Sequence, residues 1–364
     1  MSTGKVRTAV VGAGKIGKWH AIALSQIEGA ELTAICDLNE ENARAVALES
    51  TAKMVSTDLA KLIADKAIDA VSICTDHGSH LRLVEMCAAG GVHCIVEKPL
   101  SIRLSDAQHM VEVAKAAGII CGTVFQRRYF PAAQRMKAAI AGGAIGQPTI
   151  ADCTAFLDRD KAYFDMADWR GTWAGEGGGV LMNQAIHMVD LLQWMMGDAV
   201  EVYGRWATLR HGDYINVEDT TAAVVTFASG ALATIQATTT VRPQFGFGLS
   251  VRGTTGDTLA IREMPELTVA VQDSWTLAED GREPWERAGT PPSMFPDYHR
   301  AQLEDFIEAV RTGRQLAVPA EEGLKSMHII KGIYLSQHRG RPVSLPLSQS
   351  DIAEVEKFDT TGWK

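Results

Sequence analysis

The sequence predicts an α/β protein with two domains. Residues 1–125 are expected to form a parallel, doubly wound sheet, and residues 126–364 an α+β domain with a large, mostly antiparallel sheet. In the first part, short apolar runs alternate with helical patterns, which is typical of a parallel sheet covered by helices on both faces. In the second part, several strand patterns follow one another without helices between them, which favours antiparallel pairing. A chain of 364 residues also exceeds one ordinary hydrophobic core.

The individual elements follow from the hydrophobic periodicity. In the first domain the predicted strands are residues 6–11, 32–36, 70–74, 92–96 and 119–124, and the predicted helices include 16–27, 79–89 and 105–117. In the second domain the predicted helices are 131–141, 180–196, 298–311 and 320–336. Its predicted strands are 149–156, 200–209, 222–228, 231–238, 246–251 and 258–262, with a hairpin turn at Ser229-Gly230. Residues 273–296, rich in proline, charge and tryptophan, are predicted to form a long loop.

A glycine-rich turn joins the first predicted strand to the helix after it. Residues 12–17 read G-A-G-K-I-G, the G-x-G-x-x-G pattern of dinucleotide-binding turns, and the strand–turn–helix context makes the pattern informative. The first glycine permits the tight turn, the second lets a pyrophosphate approach the backbone, and the third allows close helix packing. The phosphates would lie at the positive end of the helix dipole. The predicted cofactor-binding residues of this turn are Gly12, Gly14, Lys15, Ile16 and Gly17.

Asp37 follows the second predicted strand, 37 − 17 = 20 residues after the last glycine of the turn. An acidic side chain at about this distance accepts hydrogen bonds from the adenosine ribose hydroxyls of NAD and repels the extra phosphate of NADP. The next residues are Leu38, Asn39 and Glu40, so no arginine follows at once to hold that phosphate. The sequence therefore predicts a Rossmann-type domain that binds NAD in preference to NADP.

Lys98 lies directly after the fourth predicted strand, in the segment Glu97-Lys98-Pro99. Ligands of open α/β sheets bind outside the carboxyl ends of the strands, so Lys98 is expected near the nicotinamide. A lysine at that place can hold a substrate hydroxyl or the nicotinamide ribose and relay a proton. A surface lysine at a strand end is the alternative that the sequence leaves open.

The predicted helix at 180–196 carries Asn183 and His187 four residues apart, and therefore on one face. These polar residues interrupt an otherwise apolar helix, and the three glycines at 177–179 before it allow another backbone or a ligand to come close. A histidine can accept a hydroxyl proton while hydride leaves the same carbon, because its pKa lies near neutrality. The alternative is a core histidine hydrogen-bonded to a carbonyl group.

These segments resemble the glucose-fructose oxidoreductase, inositol dehydrogenase and MocA family of sugar dehydrogenases. The resemblance rests on residues 12–17, Cys74-Thr75 with His80, Glu97-Lys98-Pro99, and the glycine run leading to Asn183, His187 and Asp190. It spans nearly the whole chain. It implies that Lys98 is the catalytic lysine, that His187 is the acid/base, and that a cis peptide bond often precedes Pro99. It also implies cofactor contacts at Thr75, His77, His80 and Glu97, a sugar or polyol substrate, and a homo-oligomer (dimer or tetramer) formed through the antiparallel sheet.

One position departs from the inositol dehydrogenases, which usually have an aspartate where this chain has Asn183. An asparagine can hydrogen-bond substrate hydroxyls, but it supplies no negative charge to raise the pKa of the histidine. The N-x-x-x-H form, with W-R-G-T-W at residues 169–173, is more similar to dehydrogenases that oxidise C3 of nucleotide-sugar acids or glycosides. The resemblance therefore leaves the substrate open.

Three further segments carry candidate ligand-binding residues. Arg127 and Tyr129 begin the second domain in a Q-R-R-Y segment that lines the cleft in the family, where paired arginines could clamp a carboxylate or phosphate. A solvated arginine pair is the alternative. Arg170, flanked by two tryptophans, is expected to contact the nicotinamide or the substrate. His77 and His80 are three residues apart, but no third ligand can be placed, so no metal site is predicted.

Composition excludes other classes of function. The formal net charge of −9 argues against binding to nucleic acid or to an anionic membrane, both of which need basic patches. No apolar run is long enough to span a bilayer, and the N-terminus does not resemble a secretory signal. The six cysteines form no C-x-x-C pair and are predicted to be buried thiols of a reducing compartment, the cytoplasm.

The sequence thus predicts a cytoplasmic NAD-dependent dehydrogenase that oxidises a secondary hydroxyl of a cyclic polyol, sugar or sugar derivative to a ketone. His187 takes the hydroxyl proton, Lys98 positions and polarises that hydroxyl, and Asn183 orients a neighbouring one. Three alternatives remain: an NADPH-dependent reductase, redox-neutral NAD-dependent glycoside hydrolysis, and a non-catalytic NAD(P)-binding sugar sensor. Asp37 argues against the first, and the presence of both Lys98 and His187 argues against the last.

Overall fold

The structure is a computed structural model that describes residues 4–264, 270–277, 287–289 and 295–358. Its strands are β1 Val6–Val11, β2 Ala30–Cys36, β3 Met54–Ser56, β4 Ala70–Ile73, β5 His93–Val96, β6 Cys121–Thr123, β7 Pro148–Phe156, β8 Ala199–Ala207, β9 Thr220–Phe227, β10 Leu232–Thr238, β11 Gly246–Gly253, β12 Thr258–Met264, β13 Ala270–Trp275, β14 Arg287–Gly289 and β15 Val343–Ser344. Its helices are α1 Lys15–Ser25, α2 Glu40–Ser50, α3 Leu59–Ala64, α4 His80–Gly90, α5 Leu104–Ala117, α6 Pro131–Ala141, α7 Lys161–Phe164, α8 Trp173–Glu176, α9 Ile186–Met196, α10 Phe295–Thr312, α11 Ala320–Arg339 and α12 Gln349–Val355.

The chain divides into two compact units. The first comprises residues 1–101, 105–126 and 294–324, and the second comprises residues 102–104, 127–293 and 325–364. This division differs from a single boundary between residues 125 and 126, because α10 returns to the first unit. Leu303, Phe306 and Ile307 of α10 are buried in the same core as Leu24 and Ile27, where α1 ends. The sequence did not predict this packing, because α10 and α1 are far apart in the chain.

The sheet of the first unit is parallel, and its six described strands lie in the order β3-β2-β1-β4-β5-β6. The predicted parallel, doubly wound sheet is therefore confirmed. The sequence pattern missed the edge strand β3, because its three residues are only half-buried or exposed and carry little hydrophobic signal. Strand order reverses between β1 and β4, and the carboxyl ends of the strands at this point form the ligand-binding edge of such sheets.

The second unit contains a sheet whose described strands follow the order β14-β13-β12-β11-β7-β10-β9-β8-β15. Every pairing is antiparallel except the one between β7 and β10, which agrees with the predicted mostly antiparallel sheet. The turn at Ser229-Gly230 joins β9 to β10, as predicted. Helix α9 packs on β7 and β11, so one face of the sheet is covered by this helix.

The prediction of a long loop at 273–296 is wrong in part. Strand β13 extends to Trp275 and pairs with β12, strand β14 lies within the segment, and α10 begins at its end. The charge of Asp273 made this segment look like an exposed loop in the sequence. In the structure Asp273 is fully buried and forms an ion pair with Arg135. Residues 278–286 and 290–294 of the predicted loop lie outside the described residues.

None of the helices in the described ranges has the length and apolar character needed to cross a bilayer.

Candidate active site

The glycine turn after β1 has the form that a pyrophosphate needs. Gly12 has a φ of +95°, and a Cβ there would lie 2.6 Å from the carbonyl oxygen of Cys74. A Cβ on Gly17 would lie 1.8 Å from the carbonyl oxygen of Gly12, so both glycines are required by packing. At Gly14, by contrast, a Cβ would have no neighbour within 4 Å. Gly14 is also the N-cap of α1 and offers no side-chain cap, so the open backbone at the helix N-terminus fits an anionic ligand. Residues 15 and 16 begin the helix.

The Asp37 carboxylate lies beside this turn, at the end of β2. Its Oδ2 accepts a hydrogen bond from the backbone N–H of Ala13 at 2.6 Å, and its Oδ1 accepts one from Asn39 N–H at 2.8 Å. The two bonds fix the carboxylate next to the glycine turn. A carboxylate has about four lone-pair sites, so acceptor capacity remains for the two ribose hydroxyls. The arrangement fits the predicted preference for NAD.

Lys98 is half-buried two residues after the end of β5, and the Lys98–Pro99 peptide bond is cis. Oε2 of the Glu97 carboxylate accepts a hydrogen bond from Lys98 N–H at 3.1 Å and so fixes the backbone of Lys98. The other oxygen, Oε1, lies 3.1 Å from His20 Nε2 and 3.8 Å from His299 Nε2. His20, Glu97 and His299 are all buried. Both carboxylate oxygens of Glu97 thus have partners within the protein, and its contact with the cofactor stays a prediction.

His20 and Glu97 shift each other's pKa values in opposite directions. Burial opposes the charged form of His20, but the adjacent Cys74 and Glu97 outweigh it and raise the pKa of the imidazole to about 10. Burial would likewise raise the pKa of Glu97, but the hydrogen bond and charge of His20 lower that pKa to about 2. No local sequence pattern links His20 or His299 to Glu97, so the sequence did not indicate either histidine.

The buried side chain of His80 contacts two loops at the carboxyl ends of the strands of the first sheet. Its ring is fully buried, with Nδ1 3.0 Å from the carbonyl oxygen of Leu100 and Nε2 3.3 Å from that of Thr75. Burial lowers the pKa of His80. The ring therefore joins two loops of the predicted cofactor edge, and the contact of His80 with the cofactor stays a prediction. Ser79 Oγ donates to Thr75 Oγ1 at 2.6 Å, and His77 is buried in the intervening 3-10 turn.

In the second unit, Asn183 lies in a π-helical turn, Leu181–Ala185, that leads directly into α9. The predicted continuous helix is therefore widened at one turn, and such turns are frequent at functional sites. His187 lies in the first turn of α9 and is 6% exposed, whereas Asn183 is half-buried. The structure thus places both predicted residues on the same helical segment, in the two turns that follow the glycine run.

The glycine run at 177–179 is fixed by a buried polar group, Glu218. Its Oε2 accepts from the N–H of Gly179 at 2.7 Å, and its Oε1 accepts from the N–H of Leu181 at 3.0 Å and from the hydroxyl of Tyr334 at 2.9 Å. A Cβ on Gly179 would lie 1.9 Å from the carbonyl oxygen of Glu218, and one on Gly178 would lie 2.2 Å from the Tyr334 hydroxyl. The glycines therefore allow the close approach of another backbone and a side chain, one of the two alternatives that the sequence left open.

Glu218 satisfies N–H groups at the start of the helical segment, which otherwise have no partner within a helix. Burial raises the pKa of its carboxyl to about 7, against the opposing effect of the Leu181 and Gly179 N–H groups and of Tyr334. Lys331, also fully buried, donates from Nζ to the carbonyl oxygen of Gly177 at 3.2 Å. Glu218 and Lys331 thus hold the two ends of the glycine run.

Asn183 belongs to a polar network with Glu176, Tyr163, Gln184 and Arg170. Its Nδ2 donates to Glu176 Oε1 and lies 3.4 Å from the Tyr163 hydroxyl. That hydroxyl accepts from Gln184 Nε2 at 2.7 Å and from Arg170 Nη1 at 2.6 Å. The structure therefore brings two predicted substrate residues, Asn183 and Arg170, into one network. Glu176 could have been noticed in the sequence as the acidic residue directly before the glycine run.

The structure assigns Arg127 differently from the sequence prediction. Its Nε and Nη2 donate to the two carboxylate oxygens of Glu263 at 2.5 and 2.8 Å, and both residues are 4% exposed. A buried bidentate pair uses the donors that a substrate carboxylate would need, so the predicted clamp is not supported. Arg128 likewise pairs with Asp190 on α9. Tyr129 is half-buried at the end of this 3-10 turn.

A dinucleotide-binding unit joined to a unit with a polar, histidine-bearing helix defines a class of nicotinamide-dependent oxidoreductases. A family model described as an oxidoreductase family with an NAD-binding Rossmann fold matches residues 6–125. A second model, described as the GFO/IDH/MocA C-terminal domain, matches residues 133–258. The chain belongs to the GFO/IDH/MocA oxidoreductase family, and its first unit is the NAD-binding domain of that family.

Several relatives cover nearly the whole chain. The myo-inositol 2-dehydrogenase of Thermotoga maritima is 31% identical over 327 residues, which cover 87% of this chain and 92% of that protein. A crystal structure of the WlbA dehydrogenase from Bordetella pertussis, in complex with NADH and UDP-GlcNAcA, is 30% identical with a TM-score of 0.79, covering 94% and 100% of the two chains. Levoglucosan dehydrogenase in complex with NADH and levoglucosan has a TM-score of 0.84 at 21% identity, covering 94% and 99%, and this similarity shows the fold alone.

Proposed function

We propose that this chain is an NAD-dependent dehydrogenase that oxidises a secondary hydroxyl of a cyclic polyol, sugar or sugar derivative to a ketone. The proposal is carried by the polar helical segment in which Asn183, in the π-helical turn, and His187, in the first turn of α9, follow a glycine run that buried Glu218 holds in place. It occurs in a chain of an NAD-binding oxidoreductase family. We also propose that the protein works in the cytoplasm, which agrees with its six free cysteine thiols.

The proposed roles follow from the chemistry of each side chain. When bound, NAD accepts the hydride that leaves the carbinol carbon. His187 accepts the hydroxyl proton as that hydride leaves, so that the C–H and O–H bonds break while the C=O bond forms. Lys98 donates a hydrogen bond to the same oxygen and polarises it, and its backbone is held by Glu97. Asn183 hydrogen-bonds a neighbouring substrate hydroxyl. Gly14 and the N-terminus of α1 would hold the pyrophosphate, and Asp37 the adenosine ribose.

A substrate screen tests this proposal. Purified protein is incubated with NAD and, separately, with inositols, aldoses, glycosides and uronic acids, and the absorbance of NADH is followed. We expect NADH to accumulate with at least one of these classes. NAD binding without turnover across the whole panel would instead favour the sugar-sensor alternative, and turnover of a glycoside without net NADH would favour hydrolysis.

The preference for NAD is expected to rest on Asp37. The wild type should bind NAD more tightly than NADP, because the carboxylate accepts the ribose hydroxyls and repels a 2′-phosphate. The double substitution Asp37→Ser/Leu38→Arg should shift the preference toward NADP, because Leu38 is 91% exposed and an arginine there can reach the phosphate. Titration of both cofactors, followed by protein fluorescence, measures the change. Leu38→Arg alone is the control and should keep the preference for NAD, whereas a wild type that favours NADP contradicts the assignment.

We further propose that the face of the second sheet that bears Val224, Leu232 and Ile150 contacts a second copy of the chain, as the family resemblance implies. Phe227 and Ile235 are buried on one face, whereas Val224, Leu232 and Ile150 are 48%, 46% and 44% exposed on strands whose side chains alternate. Light scattering at micromolar concentration should therefore show a dimer or tetramer.

Charged substitutions test this interface. Val224→Lys/Leu232→Lys should shift the protein toward the monomer, because the charges would be buried against the second copy. Leu48→Lys, at an 83% exposed position on α2, is the matched control and should leave the oligomeric state unchanged. A monomeric wild type would contradict the proposed interface.

A further inference from the structure

A buried carboxylate, Glu176, lies directly beside the amide of Asn183. Glu176 is 1% exposed, its Oε2 accepts a hydrogen bond from the N–H of Gly171 at 2.7 Å, and its Oε1 accepts one from Asn183 Nδ2. Both oxygens of Glu176 therefore act as acceptors. Glu176 ends α8, and Asn183 lies in the π-helical turn beyond the glycine run.

This contact fixes the orientation of the Asn183 amide. The structure places the NH₂ group of the amide against Oε1 of Glu176; an ionised carboxylate only accepts, so the reverse orientation would place two acceptors in contact. The Tyr163 hydroxyl, 3.4 Å from Nδ2, lies on the same side of the amide. The amide oxygen is consequently turned away from Glu176, and with two lone pairs it can accept a hydrogen bond from a ligand.

We propose that Glu176 is a positioning residue that determines specificity, because it makes Asn183 present an acceptor to the substrate. The inference rests on the proposed function, in which Asn183 binds the substrate. The ligand recognised at this point is then a sugar or polyol with a hydrogen-bond donor, a hydroxyl or an amide N–H, next to the carbinol that is oxidised. A substrate group that can only accept hydrogen bonds would place its lone pairs against those of the Asn183 oxygen, and the two would repel each other.

The same geometry predicts different defects for two single substitutions. In Glu176→Gln, the side-chain oxygen can still accept from Gly171, so its NH₂ faces Asn183 and turns that amide around. Asn183 then presents a donor, and we expect KM for the sugar to rise by about 3- to 10-fold while KM for NAD stays unchanged. In Asn183→Asp, two carboxylates meet in a buried site, and we expect the midpoint of thermal unfolding to fall by roughly 5 °C or more.

The double substitution Glu176→Gln/Asn183→Asp reverses the polarity of the pair and should rescue both properties. The glutamine introduced at position 176 can donate from its NH₂ group to the new carboxylate while its oxygen still accepts from Gly171. The second oxygen of that carboxylate again presents an acceptor to the sugar. We expect a melting temperature within about 2 °C of the wild type and a KM for the sugar near the wild-type value.

The experiment is thermal unfolding and steady-state kinetics of the four proteins, with NAD and the sugar that reacts fastest in the screen. Glu201→Gln, an exposed position on β8, is the matched control and should change neither property. Effects on the melting temperature that simply add in the double variant would overturn the pairing, as would an unchanged KM for the sugar in Glu176→Gln. If no sugar reacts, the proposed function fails, while rescue of the melting temperature still decides whether Glu176 and Asn183 are coupled.

Discussion

Replacing His187 by alanine should reduce the rate of NAD reduction by about 10² to 10⁴-fold, the usual contribution of a positioned general base. The imidazole is 6% exposed in the first turn of α9, where it is proposed to accept the hydroxyl proton of the sugar. Binding of NAD should be unchanged, because the residues that fit the pyrophosphate and the adenosine ribose lie on the glycine turn and Asp37. Initial rates at saturating NAD, together with an NAD titration, measure both properties.

His109→Ala is the control for this experiment, because His109 is an exposed histidine on α5. It should react at the wild-type rate. Near-wild-type turnover in His187→Ala would mean that His187 has only a structural role, and it would contradict the assignment of His187 as the catalytic base.

Lys98→Met should lose turnover to a comparable extent, by about 10² to 10⁴-fold. Methionine is similar in length to lysine but has no charge and no donor, so it can neither hold nor polarise the reacting hydroxyl. The backbone hydrogen bond from Lys98 N–H to Glu97 does not involve the side chain and should persist, together with the fold. The measurement is the same rate assay, supported by thermal unfolding.

Lys115→Met, at an exposed position on α5, is the control for loss of a lysine charge. If the Lys98→Met protein is active, Lys98 has no catalytic role, and the alternative of a surface lysine at a strand end is correct.

The parts of the fold that could be predicted from the sequence are those with local signals. The apolar runs indicated the buried strands of the first sheet, and the helix at Pro131–Ala141 was predicted with its observed limits. The turn at 12–17 could be interpreted in chemical terms because its spacing reports backbone geometry directly. Asn183 and His187 were visible because most of the helical segment around them is apolar and buried.

The residues that the sequence missed or misassigned act through partners that are distant in the chain. Arg127 and Glu263 are 136 positions apart, so a buried pair could not be told from a substrate clamp. His299 approaches Glu97 because α10 returns to the first unit. Glu218 holds the glycine run from a different segment, and its role depends on burial, which periodicity does not reveal for a single charged residue.

A double-mutant cycle of His187 and Lys98 decides whether the two residues act as one unit on one substrate hydroxyl, as the proposed mechanism requires. Turnover is measured for the wild type, His187→Ala, Lys98→Met and the double variant, with saturating NAD and the sugar that reacts fastest. Because both groups serve the same proton transfer, we predict that the double variant is no more than about 10-fold slower than the slower single variant. Losses that multiply in the double variant would contradict the mechanism, since they would show that the two residues act independently.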